Sequence, residues 1–153
     1  MLVLDTSAYI NGWRDHYPPA VFPGVWTLIA DAMENGAALA PREVFRELGK
    51  KDDEVAKWAK ALEHLFLEPS EEVQAEAGSV LALFPQPNTR NAADPFVIAE
   101  AKIRGFSVVT YEGRSFTGPT KNWAKRMPGI CQKLDVACLT LPEALAKLGA
   151  RFA

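Results

Sequence analysis

The sequence predicts one α/β domain, residues 1–153, built on a mainly parallel β-sheet with helices on both of its faces. With 153 residues, of which 48% are hydrophobic, the chain can bury one core but is short for two. Short continuous apolar runs, typical of strands buried on both faces, alternate with amphipathic helical segments. No internal repeat or low-complexity segment interrupts this alternation, which favours the α/β class.

Four apolar runs are the predicted strands. They are residues Leu2–Leu4, 37–40, 106–110 and 136–140. The first run ends at Asp5 and the third ends at Thr110, so polar residues stand where two of these strands finish.

Six segments have the apolar spacing, capping residues or stop signals of helices. They are residues 22–33, from Pro41 through Leu48 with Gly49 as the stop, from Asp52 or Asp53 to Leu65, 70–84, 94–103 with Gly105 as the stop, and 142–148. Residues 85–91 form the clearest predicted loop. Residues 111–130 show little periodicity and several basic side chains, so we expect a partly irregular basic excursion there.

Charge and composition exclude several classes of protein. The formal net charge is −2, so no strongly basic coat is available and any nucleic acid must be held locally. The first residues lack the pattern of a signal peptide, and no apolar stretch approaches the roughly 20 residues that span a bilayer. We therefore expect a soluble, cytoplasmic protein with no membrane partner.

Two cysteines and two histidines give no sign of a zinc site. Cys131, Cys138, His16 and His64 show none of the paired spacings that structural zinc requires. Reduced thiols and surface imidazoles are the expected states.

Four acidic residues are expected to meet at one edge of the sheet. Asp5 follows the first strand, Glu112 follows the third, Asp94 opens the helix before that strand, and Glu47 lies on the helix after the second. Ligands of open parallel sheets bind outside the carboxyl ends of the strands. Clustered carboxylates suit Mg²⁺ or Mn²⁺ in phosphodiester hydrolysis, because hard cations prefer oxygen ligands.

Each acid taken singly has an ordinary structural explanation. Asp94 before Pro95 is a good N-cap, Asp5 is suited to an Asx-type turn, and Glu112 to a surface turn. Glu43 and Glu47 share one helix face, where a solvated acidic stripe is the default. Of the two, Glu47 is the preferred site residue because it lies between Val44 and Leu48 on the more apolar side, while a role for Glu43 stays open. Only the joint pattern favours a metal site.

Four segments, in this order, resemble the successive motifs of the PIN-domain family. They are Leu2-Val3-Leu4-Asp5-Thr6-Ser7, Val44-Phe45-Arg46-Glu47-Leu48, Ala92-Ala93-Asp94-Pro95-Phe96-Val97-Ile98-Ala99 and Val108-Val109-Thr110. The chain is most similar to a little-characterised subfamily, known by a domain-of-unknown-function label. The subfamily likeness lies in Phe22-Pro23-Gly24-Val25-Trp26 and Met127-Pro128-Gly129-Ile130-Cys131. The resemblance spans nearly the whole chain.

This resemblance implies a three-layer α/β/α PIN-like domain and cleavage of RNA that depends on Mg²⁺ or Mn²⁺. It also implies that Asp5, Glu47, Asp94 and Glu112 are the metal-binding, catalytic carboxylates. The toxin of a VapC-type toxin–antitoxin pair, with a cognate antitoxin protein and a homodimer, is the implied biological context. Many relatives have Thr-Asn-Asp where this chain has Thr110-Tyr111-Glu112, so Glu112 ranks last among the expected ligands.

Other polar residues are candidates for supporting roles. The hydroxyls of Thr6, Ser7 and Thr110 can bond to the carboxylates or to phosphate, although turn bonding explains them as well. Two explanations are equally open for the basic residues of the excursion, contact with the RNA backbone or plain solvation. Those basic residues are Arg114, Lys121, Lys125 and Arg126. Trp13, Tyr17 and Phe116 can stack on unpaired bases, though core packing or a dimer contact is the favoured role for each.

The sequence therefore predicts a metal-dependent endoribonuclease. The main alternative is a non-catalytic PIN-like module that binds RNA or protein and uses the acids structurally. A phosphatase or small-molecule hydrolase is the third class, and it is disfavoured because Asp5-Thr6-Ser7 has no second aspartate two residues on.

Overall fold

The computed structural model describes residues 1–51, 53–85, 92–112, 114–115, 118–119 and 123–151. Among these residues the strands are β1 (Leu2–Leu4), β2 (Ala38–Pro41), β3 (Phe66–Leu67), β4 (Ser107–Val109), β5 (Arg114–Ser115), β6 (Gly118–Pro119) and β7 (Cys138–Leu139). Five of them form one sheet in the order β3-β2-β1-β4-β7, and all its pairings are parallel. β5 and β6 form a separate antiparallel pair. The predicted parallel α/β sheet is confirmed.

Helices flank the central sheet. Within the described residues they are α1 (Thr6–Asn11), α2 (Pro23–Glu34), α3 (Arg42–Lys51), α4 (Asp53–Ala61), α5 (Glu71–Leu81), α6 (Asp94–Arg104), α7 (Met127–Lys133) and α8 (Leu141–Lys147). A π-helical turn, Gly12–His16, continues α1, and short 3₁₀ turns occupy Glu63–Leu65 and Trp123–Lys125. The arrangement is a three-layer α/β/α fold, as the family resemblance implies.

Capping residues explain where several helices begin and end. Ser70 accepts a hydrogen bond from the backbone N–H of Val73 at 3.2 Å, and α5 starts there. Thr140 and Glu143 form a reciprocal capping box at the start of α8. Gly105 ends α6 in the left-handed region, with φ of 71°, where an L side chain is disfavoured. These boundaries agree with the predicted ones to within a few residues.

Two predicted helix boundaries are wrong. Gly49 does not end α3, which continues to Lys51; a glycine inside a helix costs only about 1 kcal/mol, which packing can offset. The helix predicted to reach Leu65 stops at Ala61. Beyond it the chain makes a 3₁₀ turn and then extends, because Phe66 pairs with Ala40 as the edge of the sheet.

Two helical segments were not expected. α1 and its π-helical turn are too short to show a clear apolar period. α7 lies partly inside the stretch predicted to be irregular, and its residues Met127 to Cys131 are all buried. Gly129 is required there, since a Cβ on it would lie 2.4 Å from the backbone of Ala124. The helix thus presses directly against the preceding 3₁₀ turn.

The main core joins the sheet to the helices, and a smaller cluster of Val73, Ala77 and Ala99 packs α5 against α6. The aromatic part of the main core lies beside α1, where the ring centroids of Trp13 and Trp26 are 4.8 Å apart and those of Trp26 and Trp58 are 5.4 Å apart. Trp26 is buried in this core, and Trp58 is partly buried against it. No helix in the described parts of the chain is long and apolar enough to cross a bilayer.

Candidate metal centre

The carboxyl ends of the two central strands bring acidic residues together. β1 and β4 lie side by side, with Leu4 opposite Val109 in the register. The chain leaves β1 at Asp5, whose backbone N–H donates to the carbonyl of Val109 at 3.0 Å. It leaves β4 through Thr110 to Glu112, so both exits open on the same edge.

Three carboxylates meet at this edge. One oxygen each from Asp5, Asp94 and Glu112 lies within 4.8 Å of the other two. Asp5 is 2% exposed and Asp94 is 5% exposed, while Glu112 is half-buried. We refer to these three residues as the acidic cluster.

Hydrogen bonds fix Asp5 within the cluster. Its Oδ2 accepts from the Thr110 hydroxyl at 2.6 Å, and its Oδ1 accepts from the Ser7 hydroxyl at 2.7 Å. Oδ1 also accepts from the backbone N–H of Ala8 at 3.0 Å, so Asp5 is the N-cap of α1. Asp5 has a structural role in addition to any metal-binding role.

Asp94 is held differently, since the side-chain hydrogen bond that acts on it comes from Glu112, another member of the acidic cluster. The N-cap of α6 is Ala93, and Asp94 is the first residue of the helix, so the N-cap explanation of Asp94 is wrong. Its Oδ2 is buried and accepts no hydrogen bond from any described residue. It makes no ion pair within the described ranges either. A buried carboxylate oxygen in that state is costly unless a ligand supplies the missing contact.

Burial and like charge raise the pKa values of both aspartates. Burial, with a smaller contribution from the charge of Glu112, raises the pKa of Asp5 to about 7, although the bonds from Thr110 and Ser7 act in the opposite direction. Burial also raises the pKa of Asp94 well above its usual range, and the charges of Glu112 and Asp5 add to this. A cation bound among them would favour the charged forms.

Glu47 lies at the border of the acidic cluster. Its Oε1 accepts from the Thr6 hydroxyl at 3.2 Å and from the backbone N–H of Ala93 at 3.1 Å. Glu47 therefore ties α3 to the starts of α1 and α6, and its charge adds to the raised pKa of Asp94. Glu43, the alternative on the same helix face, pairs instead with Arg46 at 3.7 Å. Of the two, Glu47 reaches the site.

The three predicted hydroxyls bond to protein groups. The hydroxyls of Ser7 and Thr110 are 3.1 Å apart. Both hydroxyls also donate to Asp5. The Ser7 hydroxyl accepts a hydrogen bond from the backbone N–H of Tyr111, and the Thr110 hydroxyl accepts one from the backbone N–H of Glu112, each at 2.9 Å. The Thr6 hydroxyl donates to Glu47. The three hydroxyls therefore orient carboxylates and the backbone that follows β4.

The predicted nucleic-acid-binding residues are only partly described. Lys125 lies in the 3₁₀ turn and Arg126 is the N-cap of α7, and both are exposed. Lys121 and the side chain of Arg114 fall outside the described residues. Their predicted contacts with RNA stay predictions.

Two aromatic residues near the cluster were missed by sequence reasoning. The rings of His16 and Tyr111 are stacked, with centroids 4.6 Å apart and planes 6° from parallel. The sequence signals are weak, since His16 lies far from Tyr111 in the chain and resembles any surface imidazole. Trp13 packs on Trp26, and Tyr17 packs edge-on against Phe22. Phe116 lies outside the described residues.

The acidic cluster fits a hard divalent cation. Its donors are all carboxylate oxygens, and Oδ2 of Asp94 has no hydrogen-bond partner among the described residues. Mg²⁺ and Mn²⁺ accept such ligands and leave coordination positions to water, whereas zinc sites favour His and Cys.

One comparison with known proteins places the chain in a family. A family model described as a domain of unknown function, DUF4411, matches residues 2–152. No curated protein matches the chain. The family description names no activity and makes no link to PIN domains, so that resemblance stays a prediction.

Proposed function

The chain belongs to the DUF4411 family, and we propose that it is a Mg²⁺- or Mn²⁺-dependent endoribonuclease of the PIN-like type. The observation that carries this proposal is the acidic cluster at the carboxyl edge of the sheet, where Asp94 is buried beside Asp5 and Glu112 and has no cationic partner among the described residues. The four motifs that resemble PIN domains support the choice of RNA.

The residues divide into cation ligands and supports. Asp5, Asp94 and Glu112 would hold the cation, which would lower the pKa of bound water and offset charge on the scissile phosphate. Ser7 and Thr110 keep the Asp5 carboxylate oriented through bonds of 2.7 and 2.6 Å. Glu47 holds the start of α6, and so Asp94, against α3 through its bond from Ala93. In other metal sites, removing a supporting partner of this kind lowers metal affinity or activity by roughly 10- to 100-fold.

The resemblance also suggests the biological setting. A toxin of a toxin–antitoxin pair, with a cognate antitoxin and a homodimeric state, is part of the proposal on that ground alone. Co-purification with the product of a neighbouring gene, and the mass in solution, would test these two partners.

The decisive experiment compares three substrates under three metal conditions. Purified protein is incubated with single-stranded RNA, duplex DNA and a phosphomonoester, each with EDTA, Mg²⁺ or Mn²⁺. We expect cleavage of RNA only, and only with metal. Cleavage that survives thorough chelation would contradict the proposal, and hydrolysis of the phosphomonoester alone would favour the phosphatase class.

A matched variant pair controls for the integrity of the fold. Asp94→Asn removes one charge from the acidic cluster, and Asp31→Asn removes one from the exposed face of α2. Only the first should abolish cleavage. RNA binding by wild-type protein without any cleavage would instead support the non-catalytic module.

A further inference from the structure

The stacked rings of His16 and Tyr111 end at the protein surface. Their centroid distance of 4.6 Å and angle of 6° describe an offset parallel stack. Tyr111 is half-buried and covers one side of the imidazole, while His16 is exposed. The pair is therefore a two-layer stack with its outer layer open to solvent.

Two consecutive hydrogen bonds connect this stack to the acidic cluster. Tyr111 stands between Thr110 and Glu112 and donates its backbone N–H to the Ser7 hydroxyl at 2.9 Å. That hydroxyl donates to Oδ1 of Asp5 at 2.7 Å. The position of the stack is thus coupled to that of a cluster carboxylate.

The π-helical turn that carries His16 is anchored from inside. The backbone N–H of Tyr17 donates to the carbonyl of Gly12 at 2.7 Å, which closes the wide turn. Trp13 packs on Trp26, and a Cβ on Gly12 would lie 2.8 Å from Leu141. The turn is therefore held without help from the exposed imidazole. π-helical turns are rare and occur frequently at functional sites.

We propose that His16, backed by Tyr111, is a nucleobase subsite beside the acidic cluster, on which an unpaired base of single-stranded RNA stacks. This subsite rests on the proposed ribonuclease function and narrows its substrate. An unpaired base can present its face to an aromatic ring, whereas a base within a duplex is covered on both faces by its neighbours. The subsite selects single-stranded over duplex RNA. It accepts any base, since every base has a π-face.

Binding without cleavage tests the subsite directly. The probe is a single-stranded 2′-O-methyl oligonucleotide in EDTA, and its control is an abasic strand of the same length, which keeps the phosphates and lacks the bases. His16→Ala should weaken binding of the base-bearing strand by about fivefold or more, because base–aromatic stacking contributes at least about that factor. Binding of the abasic strand should not change, and His16→Phe should restore binding of the base-bearing strand.

The second histidine provides an internal control. His64 is the chain's only other histidine; its side chain is 65% exposed and lies 3.4 Å from Glu34. On addition of the base-bearing strand, the ring-proton NMR signals of His16 should move upfield, while those of His64 should stay in place. His64→Ala should bind both strands as the wild type does.

Two results would overturn the subsite. One is wild-type affinity of His16→Ala for the base-bearing strand; the other is an equal loss on both strands, which indicates a phosphate contact or a fold defect. Either result leaves metal-dependent cleavage standing. Conversely, an inactive protein that still shows the His16 shift would refute the ribonuclease function and keep the subsite.

Discussion

Two buried carboxylates on the same helix differ in whether a described residue supplies a cationic partner. Glu100 is 1% exposed and Asp94 is 5% exposed, and both belong to α6. Glu100 accepts a hydrogen bond from Nε of Arg104, one turn later, at 2.7 Å. Asp94 makes no ion pair with any described residue, and the charged groups that act on it are Glu112, Asp5 and Glu47.

This difference concerns the countercharge, which Asp94 does not receive from any described residue. Burying a charge is expensive unless a countercharge comes with it. At Glu100 the chain supplies that countercharge as Arg104. At Asp94 the described residues supply only further negative charge, and the proposed cation is the countercharge that we assign to this position. The contrast therefore separates a structural ion pair from a candidate ligand site within one helix.

Loss of catalysis is the largest expected consequence. Asp94→Asn should lower the rate of RNA cleavage with Mg²⁺ by more than about 100-fold, because removing a direct ligand should exceed the 10- to 100-fold effect of a supporting partner. Glu100→Gln removes a charge from the same helix and should retain cleavage within about threefold of the wild type at a temperature where both are folded. Equal losses in the two variants would show that the contrast between these carboxylates has no catalytic meaning.

A smaller effect should separate ligand from support inside the site. Glu112→Gln should cost more activity than Glu47→Gln, because Glu112 belongs to the acidic cluster while Oε1 of Glu47 receives two hydrogen bonds. The amide oxygen of Gln can still accept both bonds, so Glu47→Gln should lose only about 10-fold. Cleavage rates at saturating Mn²⁺ measure this, and the reverse order would assign the direct ligand to Glu47.

The sequence predicted which acidic residues lie at the carboxyl ends of the strands, but it did not predict the contacts between them. Asp5 and Glu112 follow apolar runs, so their convergence follows from parallel strand order alone. The more apolar side of the helix favoured Glu47 over Glu43 from the sequence, and the bond from Ala93 to Glu47 agrees with that choice. The stack of His16 on Tyr111 joins distant segments through a π-helical turn, which has no clear local signature. α7 was missed because its buried Pro128 and Gly129 conceal the helical period.

The stability of the metal-free protein should depend on pH with a definite sign. The pKa of Asp5 is about 7 in the folded protein and about 4 in an unfolded chain, so folding strengthens proton binding. This contribution stabilises the fold at low pH, and the free energy of unfolding falls as pH rises from about 4 to about 7. The raised pKa of Asp94 acts in the same direction.

Asp94→Asn should weaken that dependence. The variant loses one titrating group and removes a like charge near Asp5, so its stability in EDTA should fall less between pH 5 and pH 7.5 than that of the wild type. Urea unfolding at the two pH values measures the difference. A variant with an equal or steeper fall would mean that the cluster charges do not strain the fold. Glu100→Gln should instead lower stability by about 1–3 kcal/mol, because it weakens a charge-assisted bond.

The smallest expected effect concerns the exposed basic residues. If Lys125 and Arg126 each contact one RNA phosphate, the double change to Gln should reduce the slope of log binding constant against log salt by about 1.4, or about 0.7 for each contact with a single strand. Binding titrations at several salt concentrations measure the slope. An unchanged slope would show that neither residue contacts a phosphate and that both are ordinary solvated surface charges.

Titration of Mn²⁺ into the metal-free protein tests the missing countercharge most directly. Calorimetry at pH 7.5 should show saturable binding to the wild type, the same affinity for Glu100→Gln, and at least about a tenfold weaker affinity for Asp94→Asn. The account predicts this split because Glu100 is paired with Arg104, whereas Asp94 has no cationic partner among the described residues. Saturable binding of equal strength in all three proteins, or none in the wild type, would contradict it.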